Sequence, residues 1–214
     1  PRSPVEDQPR SPVEDQPRSP VEDQLTVQVA EQLGSAYRRA HDEVLAGLDS
    51  ERYQRFLDAL QEFVEQPRMS PRSRRTAGRV LPGRVAHTYA TLADLVSAAE
   101  ELPAGRERDE LLHEARKAAK QVRYAAEAVA GVFGKDAKRF AAAVTQVQEV
   151  LGEHQDSVVT RERLATLAAQ AQPEVAFAYG RLYAAEETHG VSSESDFTEV
   201  WAALRAKRLH RWLR

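Results

Sequence analysis

Residues 110–156 read ELLHEARKAAKQVRYAAEAVAGVFGKDAKRFAAAVTQVQEVLGEHQD, and the spacing in this stretch decides the fold class. At about 100° per residue, His113, Arg116, Lys117, Lys120, Arg123 and Tyr124 share an arc of roughly 120°. Leu111, Ala115, Ala118, Val122, Ala126 and Val129 fall opposite. One side of the helix is cationic and the other is core. Glu114 is the only acid in the first turns of that stripe, so the alternation of Glu and Lys that supports an ordinary solvated helix is missing. Unbalanced cations on one face point to an anionic partner, set against the plain alternative of Lys and Arg stems covering a helix flank.

The rest of the chain after Leu25 follows the same period. Strand-like runs of β-branched residues are scarce, Ala, Leu, Glu, Gln and Arg are abundant, and apolar residues recur every three or four positions. The expected fold is all-α, an antiparallel helical bundle. Helices are expected at 25–47, 50–65, 80–101, 107–132, 136–151, 155–171, 173–188 and 197–213. Their boundaries are set at Asp49 and Ser50, Pro103 and Gly105, Gly134, Gly152, Pro173, Gly190, and an Asp196–Glu199 capping box. Three apolar stripes are assigned to the core: Tyr53, Phe56, Leu57, Leu60, Phe63 and Val64; Val85, Tyr89, Leu92, Leu95 and Val96; and Phe140, Val144, Val147 and Leu151.

Residues 1–24 are three copies of PRSPVEDQ. Proline density and the near absence of apolar side chains make this a disordered linker, with 25–214 as the helical domain. The repeats also explain the charge. Each carries one Arg against a Glu and an Asp, so three copies account for the formal net charge of -3, and the remainder is neutral but segregated. The segment PRMSPRSRRTAGRVLPGR contributes Arg68, Arg72, Arg74, Arg75, Arg79 and Arg84 with no acid, as a basic loop that is either simply solvated or an arm around an anionic ligand. Arg205, Lys207, Arg208, His210, Arg211 and Arg214 form a further cluster near a helix C-terminus, where cations are favourable for dipole reasons alone.

Several chemistries are disfavoured. The chain has no cysteine, which excludes disulfides and thiolate metal sites. No apolar run reaches membrane-spanning length and no signal-peptide segment opens the sequence, so a cytoplasmic protein with no membrane partner is expected. Glu110–His113 and Glu186–His189 both match Glu-x-x-His, but Arg116, Lys117 and Lys120 flank the first and Gly190 adjoins the second, so no metal is expected. No phosphate-binding glycine loop or nucleophile elbow is present, and the chain reads as a non-enzyme without cofactors.

Phosphate suits the cationic face better, since Arg forks bind it bidentately and Lys supplies point charge. Aromatics for base stacking are limited to Tyr124, which favours a polyanion without bases over single-stranded nucleic acid. At these residues LLHEARKAAKQVRYAAE, followed by FGK, a helix and LGEHQDSVVTRERL, resembles the CHAD domain, a histidine-bearing α-helical module. ERYQRFLDALQEFVEQP resembles the segment that precedes this motif, and the resemblance covers about residues 25 to 214. It implies non-catalytic binding of inorganic polyphosphate, in the cytoplasm or at polyphosphate granules, through His113, Arg116, Lys117, Lys120 and Arg123. Tyr124, Lys138, Arg139 and His154 are secondary candidates, joined by Arg74, Arg75 and Arg84 of the basic loop. His154 and Asp156 are placed in a turn, with Asp156 as a helix N-cap. The alternatives are nucleic-acid or ribosome-associated binding by the same stripe, and a structural scaffold with solvated charges. Only the second of the family's two similar halves is evident, so a homodimer or a complementing N-terminal half is expected.

Overall fold

The computed structural model describes residues 20–213. All regular structure among them is helical: α1 (Pro20–Leu48), α2 (Glu51–Glu65), α3 (Ala77–Glu100), α4 (Arg106–Ala128), α5 (Ala130–Ala168) and α6 (Pro173–Leu204), with short 3₁₀ turns at Pro71–Arg74, Lys207–Leu209 and Arg211–Leu213. The chain divides into two units, Pro1–Arg55 and Phe56–Arg214. The expected linker over residues 1–19 lies outside the described residues, whereas the end of the third repeat, from Pro20, is already the first turn of α1. Proline is suited to that position because a first-turn N–H needs no helical partner.

In the second unit α3, α4, α5 and α6 pack in sequence, each against the next. Arg123 reaches Gln148 and Asp109 reaches His154, so α4 and α5 run antiparallel. Ser157 bonds to Glu186 while His154 faces Glu194, which gives α5 and α6 the same relation. The core is built from the residues that the helical period selects. Val85, Leu92 and Val96 of α3, Ala115, Ala119, Val122 and Ala126 of α4, and Phe140, Val144, Val147 and Leu151 of α5 are all buried. Leu164, Leu167, Val175 and Tyr179 are buried where the later turns of α5 meet the start of α6.

The stripe on α2 departs from expectation. Phe56, Leu57, Leu60, Phe63 and Val64 are exposed, Val64 to 71%, and Tyr53 is only half-buried. No other element packs along α2, so an amphipathic helix forms with its apolar side uncovered. The basic segment is also shorter as a loop than expected. It folds into a 3₁₀ turn and then joins α3 at Ala77, which places Arg79 and Arg84 on a helix that accommodates Pro82 in its buried side.

Two expected breaks are absent. Gly152 lies within α5 and Gly190 within α6, and both are spacers between helices. A β-carbon at Gly152 would come 3.4 Å from Arg116 Nε, and one at Gly190 would meet Ser157 Oγ at 2.9 Å. Asp156 and the Asp196–Glu199 pair are consequently mid-helix and cap nothing. The break at Gly134 is present. Its φ of 58° and ψ of -126° turn the backbone between the first turn of α5 and its long run, a conformation that a side chain disfavours.

The expected last helix, 197–213, is instead the end of α6 followed by 3₁₀ turns. The His210 ring N–H donates to the Leu204 carbonyl at 2.7 Å, satisfying a terminal acceptor of α6. The same ring sits 4.6 Å from Tyr89 and 5.3 Å from Phe140, and Trp212 lies 5.8 Å from Phe140. His210 thus belongs to an aromatic cluster over the core and not to a cationic patch; Arg214 lies outside the described residues.

Gly190 supplies a direct test of the α5–α6 contact. Gly190→Ala gains helix propensity of up to about 1 kcal/mol but crowds a Ser157 hydroxyl that is held by its bond to Glu186. The expected outcome in urea unfolding is a net loss of about 1–3 kcal/mol, largely recovered by adding Ser157→Ala. A stabilised single variant would show that the helices separate easily here.

Candidate functional site

The buried side of α4 is almost entirely alanine and valine, with Leu112 at its start. Small side chains let α4 sit close to its neighbours, and this divides the cationic arc into two rows. His113, Arg116, Lys120 and Arg123 are half-buried, whereas Lys117 and Tyr124 are exposed. The spacing of the first row, three, four and three residues, follows one flank of the helix. Arg116 and Arg123 fix that flank as the α4–α5 groove: Arg116 lies over Gly152, and Arg123 Nε donates to Gln148 Oε1 at 3.0 Å.

The charges differ in how far they are already neutralised. Lys117 Nζ is 2.7 Å from Glu114 Oε1, and Arg123 Nη1 is 3.2 Å from Glu127 Oε1. The Arg123 guanidinium also stacks 4.5 Å from the centre of the Tyr124 ring, which makes that ring a support for the arginine. Among the described residues, Arg116 and Lys120 enter no ion pair, and Arg116 Nε is buried without a hydrogen-bond partner. These two groups carry the uncompensated charge of the groove.

His113 looks a different way. It lines a cleft of about 690 Å³ beside the first turns of α4, with its Nδ1 buried and unpartnered. Arg161 of α5, a residue that the sequence reading did not select, shares this cleft and also has an unpartnered, buried Nε. The walls are mixed in charge, for Asp109, Glu110, Glu114 and Glu162 face Arg106 and Arg161. Arg161 lies in LGEHQDSVVTRERL, where the helical period alone does not say which of Arg161 and Arg163 turns inward.

The secondary candidates scatter. Lys138 and Arg139 are exposed on early turns of α5, Arg74 and Arg75 are exposed before α3, and Arg84 is exposed on α3. His154 occupies no turn. It is a mid-α5 side chain, 3% exposed, with Nε2 3.0 Å from Asp109 Oδ1. Burial between carboxylates removes it from the basic face.

Comparison with known proteins supplies the deciding observation, since the family model described as "CHAD domain" matches residues 6–165. The chain belongs to the CHAD family. The match begins inside the PRSPVEDQ repeat and ends within α5, leaving α6 outside it. Two uncharacterised proteins of Mycobacterium tuberculosis, from strains CDC 1551 / Oshkosh and ATCC 25618 / H37Rv, are each 37% identical over 170 residues, which is 74% of this chain and 31% of the relative. The chain thus spans about a third of their length. No solved structure matches it. CHAD domains are all-helical, are linked in general to polyphosphate binding, and are generally non-catalytic binding modules. Among the described residues of this CHAD chain, no helix is long and apolar enough to cross a membrane.

The Lys117–Glu114 pair can be read by titration. The hydrogen bond from Lys117 is the main reason that the exposed Glu114 carboxyl is held below the usual glutamate range, with the charges of Lys117 and His113 adding to it. A depressed carboxyl stabilises the fold above its unfolded pKa, and the contribution is lost as pH falls through the folded value. In Lys117→Gln, NMR titration should find the Glu114 carboxyl moved upward toward an ordinary glutamate. An unmoved value would mean that the pair does not persist in solution.

Proposed function

We propose that this CHAD chain binds inorganic polyphosphate, without transforming it, along the groove where α4 meets α5. The observation that carries the reading is the row Arg116, Lys120 and Arg123, with Arg116 and Lys120 free of ion pairs beside a glycine that keeps the groove floor low. A linear polyanion laid along such a row meets one cation for each helical turn, at a rise of about 5 Å. Arg116 contributes a planar fork suited to phosphate oxygens, while Lys120 contributes a mobile point charge. Lys117 adds to the surrounding field but must first give up Glu114. His113 extends the row toward the cleft, where its unpartnered Nδ1 is available to a phosphate oxygen when that nitrogen carries the proton.

Absence of chemistry follows from what surrounds the row. A transferring phosphoryl group needs a positioned nucleophile or base close to it. Along the groove the neighbours of the cations are Gln148, Gly152 and carboxylates already paired to Lys117 and Arg123. The arrangement is suited to holding a polyanion.

The double variant Arg116→Gln, Lys120→Gln keeps helix propensity close to the original. It should leave helical circular dichroism unchanged while weakening long-chain polyphosphate binding at least about tenfold, equivalent to roughly 1.4 kcal/mol. Lys117→Gln should cost clearly less. Binding should weaken steeply with added salt, by analogy with counterion release from nucleic acids. Full affinity in the folded double variant, or displacement of polyphosphate by single-stranded RNA of matched charge, would sink the proposal.

A further inference from the structure

One cluster of titratable side chains lies apart from the groove and is built from three helices. Asp109 of α4, His154 of α5 and Glu194 of α6 converge so that one donor atom from each lies within 4.8 Å of the others. His154 is 3% exposed, and Asp109 and Glu194 have side-chain exposures of 21% and 28%. His154 Nε2 is 3.0 Å from Asp109 Oδ1. On the other side of the ring, Nδ1 is 4.0 Å from Glu194 Oε1, too far for a hydrogen bond, and it has no partner although it is buried. Arg108 Nη2 binds the other carboxylate oxygen, Glu194 Oε2, at 2.8 Å, which steadies Glu194 with Oε1 turned toward the ring.

Two features of this cluster are unresolved by the protein's own groups. The first is charge: with a neutral imidazole, two carboxylates face one guanidinium, leaving a unit of negative charge in a largely water-excluded position, where unpaired charge is costly. The second is the buried, unpartnered nitrogen, which is an imidazole lone pair or N–H with nothing to meet. A bound cation resolves both. We propose that Asp109, His154 and Glu194 form a site for a divalent transition-metal ion of the zinc class.

The donor chemistry selects that class. An imidazole nitrogen is a poor ligand for Mg²⁺ or Ca²⁺, which take oxygen shells, and a good one for zinc and its neighbours, which also accept carboxylate oxygens. In a tetrahedral site with bonds of about 2.0–2.2 Å, donor atoms stand roughly 3.3 Å apart. Side-chain rotation is enough to bring atoms within 4.8 Å to that spacing. Arg108 takes the place of an outer partner orienting a ligating carboxylate. Asp109 also lines the cleft, so the position that three protein donors leave open faces solvent. Filled, the site ties α4, α5 and α6 together at one end of the bundle. The absence of Cys and of a second histidine in register is why the sequence pattern gave no hint of it: the three ligands are 45 and 40 residues apart, one per helix.

A proton on His154 would supply the same unit of charge, and metal titration separates the two. The full 214-residue chain, stripped with a chelator and dialysed, is titrated with Zn²⁺ by calorimetry and with Co²⁺ as an absorption probe. One ion per chain is expected, with a rise in melting temperature by linkage. Asp109→Asn and Glu194→Gln are used because both side chains are partly exposed, which keeps the variants foldable, and helical dichroism confirms it. Each should weaken Zn²⁺ binding by about tenfold or more and abolish the rise in melting temperature. His189→Ala removes an exposed histidine of α6 and should change nothing. No Zn²⁺ binding by the unmodified chain, equal binding by both carboxylate variants, or loss of binding in His189→Ala would each overturn the proposal.

Discussion

Close approach of α4 to its neighbours is the constraint on which the rest of the second unit depends. Ala115, Ala118, Ala119 and Ala126, with Val122 among them, give α4 a thin buried side, and thin sides let helix axes come near each other. Close axes draw the stems of Arg116, Lys120 and Arg123 partly under the rim of α5, where aliphatic carbons gain cover while the charged ends stay reachable. A Leu-rich helix in the same place would hold α5 further off and leave the same cations as a loose fringe. The groove's electrostatics are therefore a consequence of its packing, and Gly152 serves both by making room for Arg116 on the opposite wall.

The fold class and most of the core were legible because helical periodicity is a local signal. Val85, Leu92 and Val96, or Phe140, Val144, Val147 and Leu151, need only the 3.6-residue repeat to be placed on one side. What that signal lacks is the identity of the neighbour. Gly152 and Gly190 read as breaks because glycine commonly punctuates helices, and only Arg116 and Ser157, on other turns and other helices, reveal them as spacers. His154 and Asp156 were misplaced by the same error, since a false break at Gly152 put a turn where α5 continues. The stripe on α2 shows the converse: its period was read correctly and its burial was not, because periodicity identifies a face that is able to be covered without saying that anything covers it.

Legibility of the site divides in the same way. The cationic arc is visible in the order of residues along one helix, and so is the Lys117–Glu114 pair, three positions apart. The tether from Arg123 to Gln148 spans 25 residues, and the cleft that brings Arg161 opposite His113 joins separate helices. Neither can be inferred from a helical wheel, so the sequence supplies a uniform stripe where the structure grades its members by how firmly each is already held.

The aromatic cluster over the core has a consequence for synthesis. Tyr89 and Phe140 belong to helices made early, while the Trp201, His210 and Trp212 rings that cover them come from the end of α6 and the turns beyond it. A ribosome delivers these parts in order, so α3, α4 and the first turns of α5 emerge with one wall of their core open to water. That wall closes only when residues 201–213 leave the exit tunnel. During this interval the nascent chain presents a tyrosine and a phenylalanine to whatever holds unfolded polypeptides, and its cooperative folding waits for the last aromatic ring to arrive.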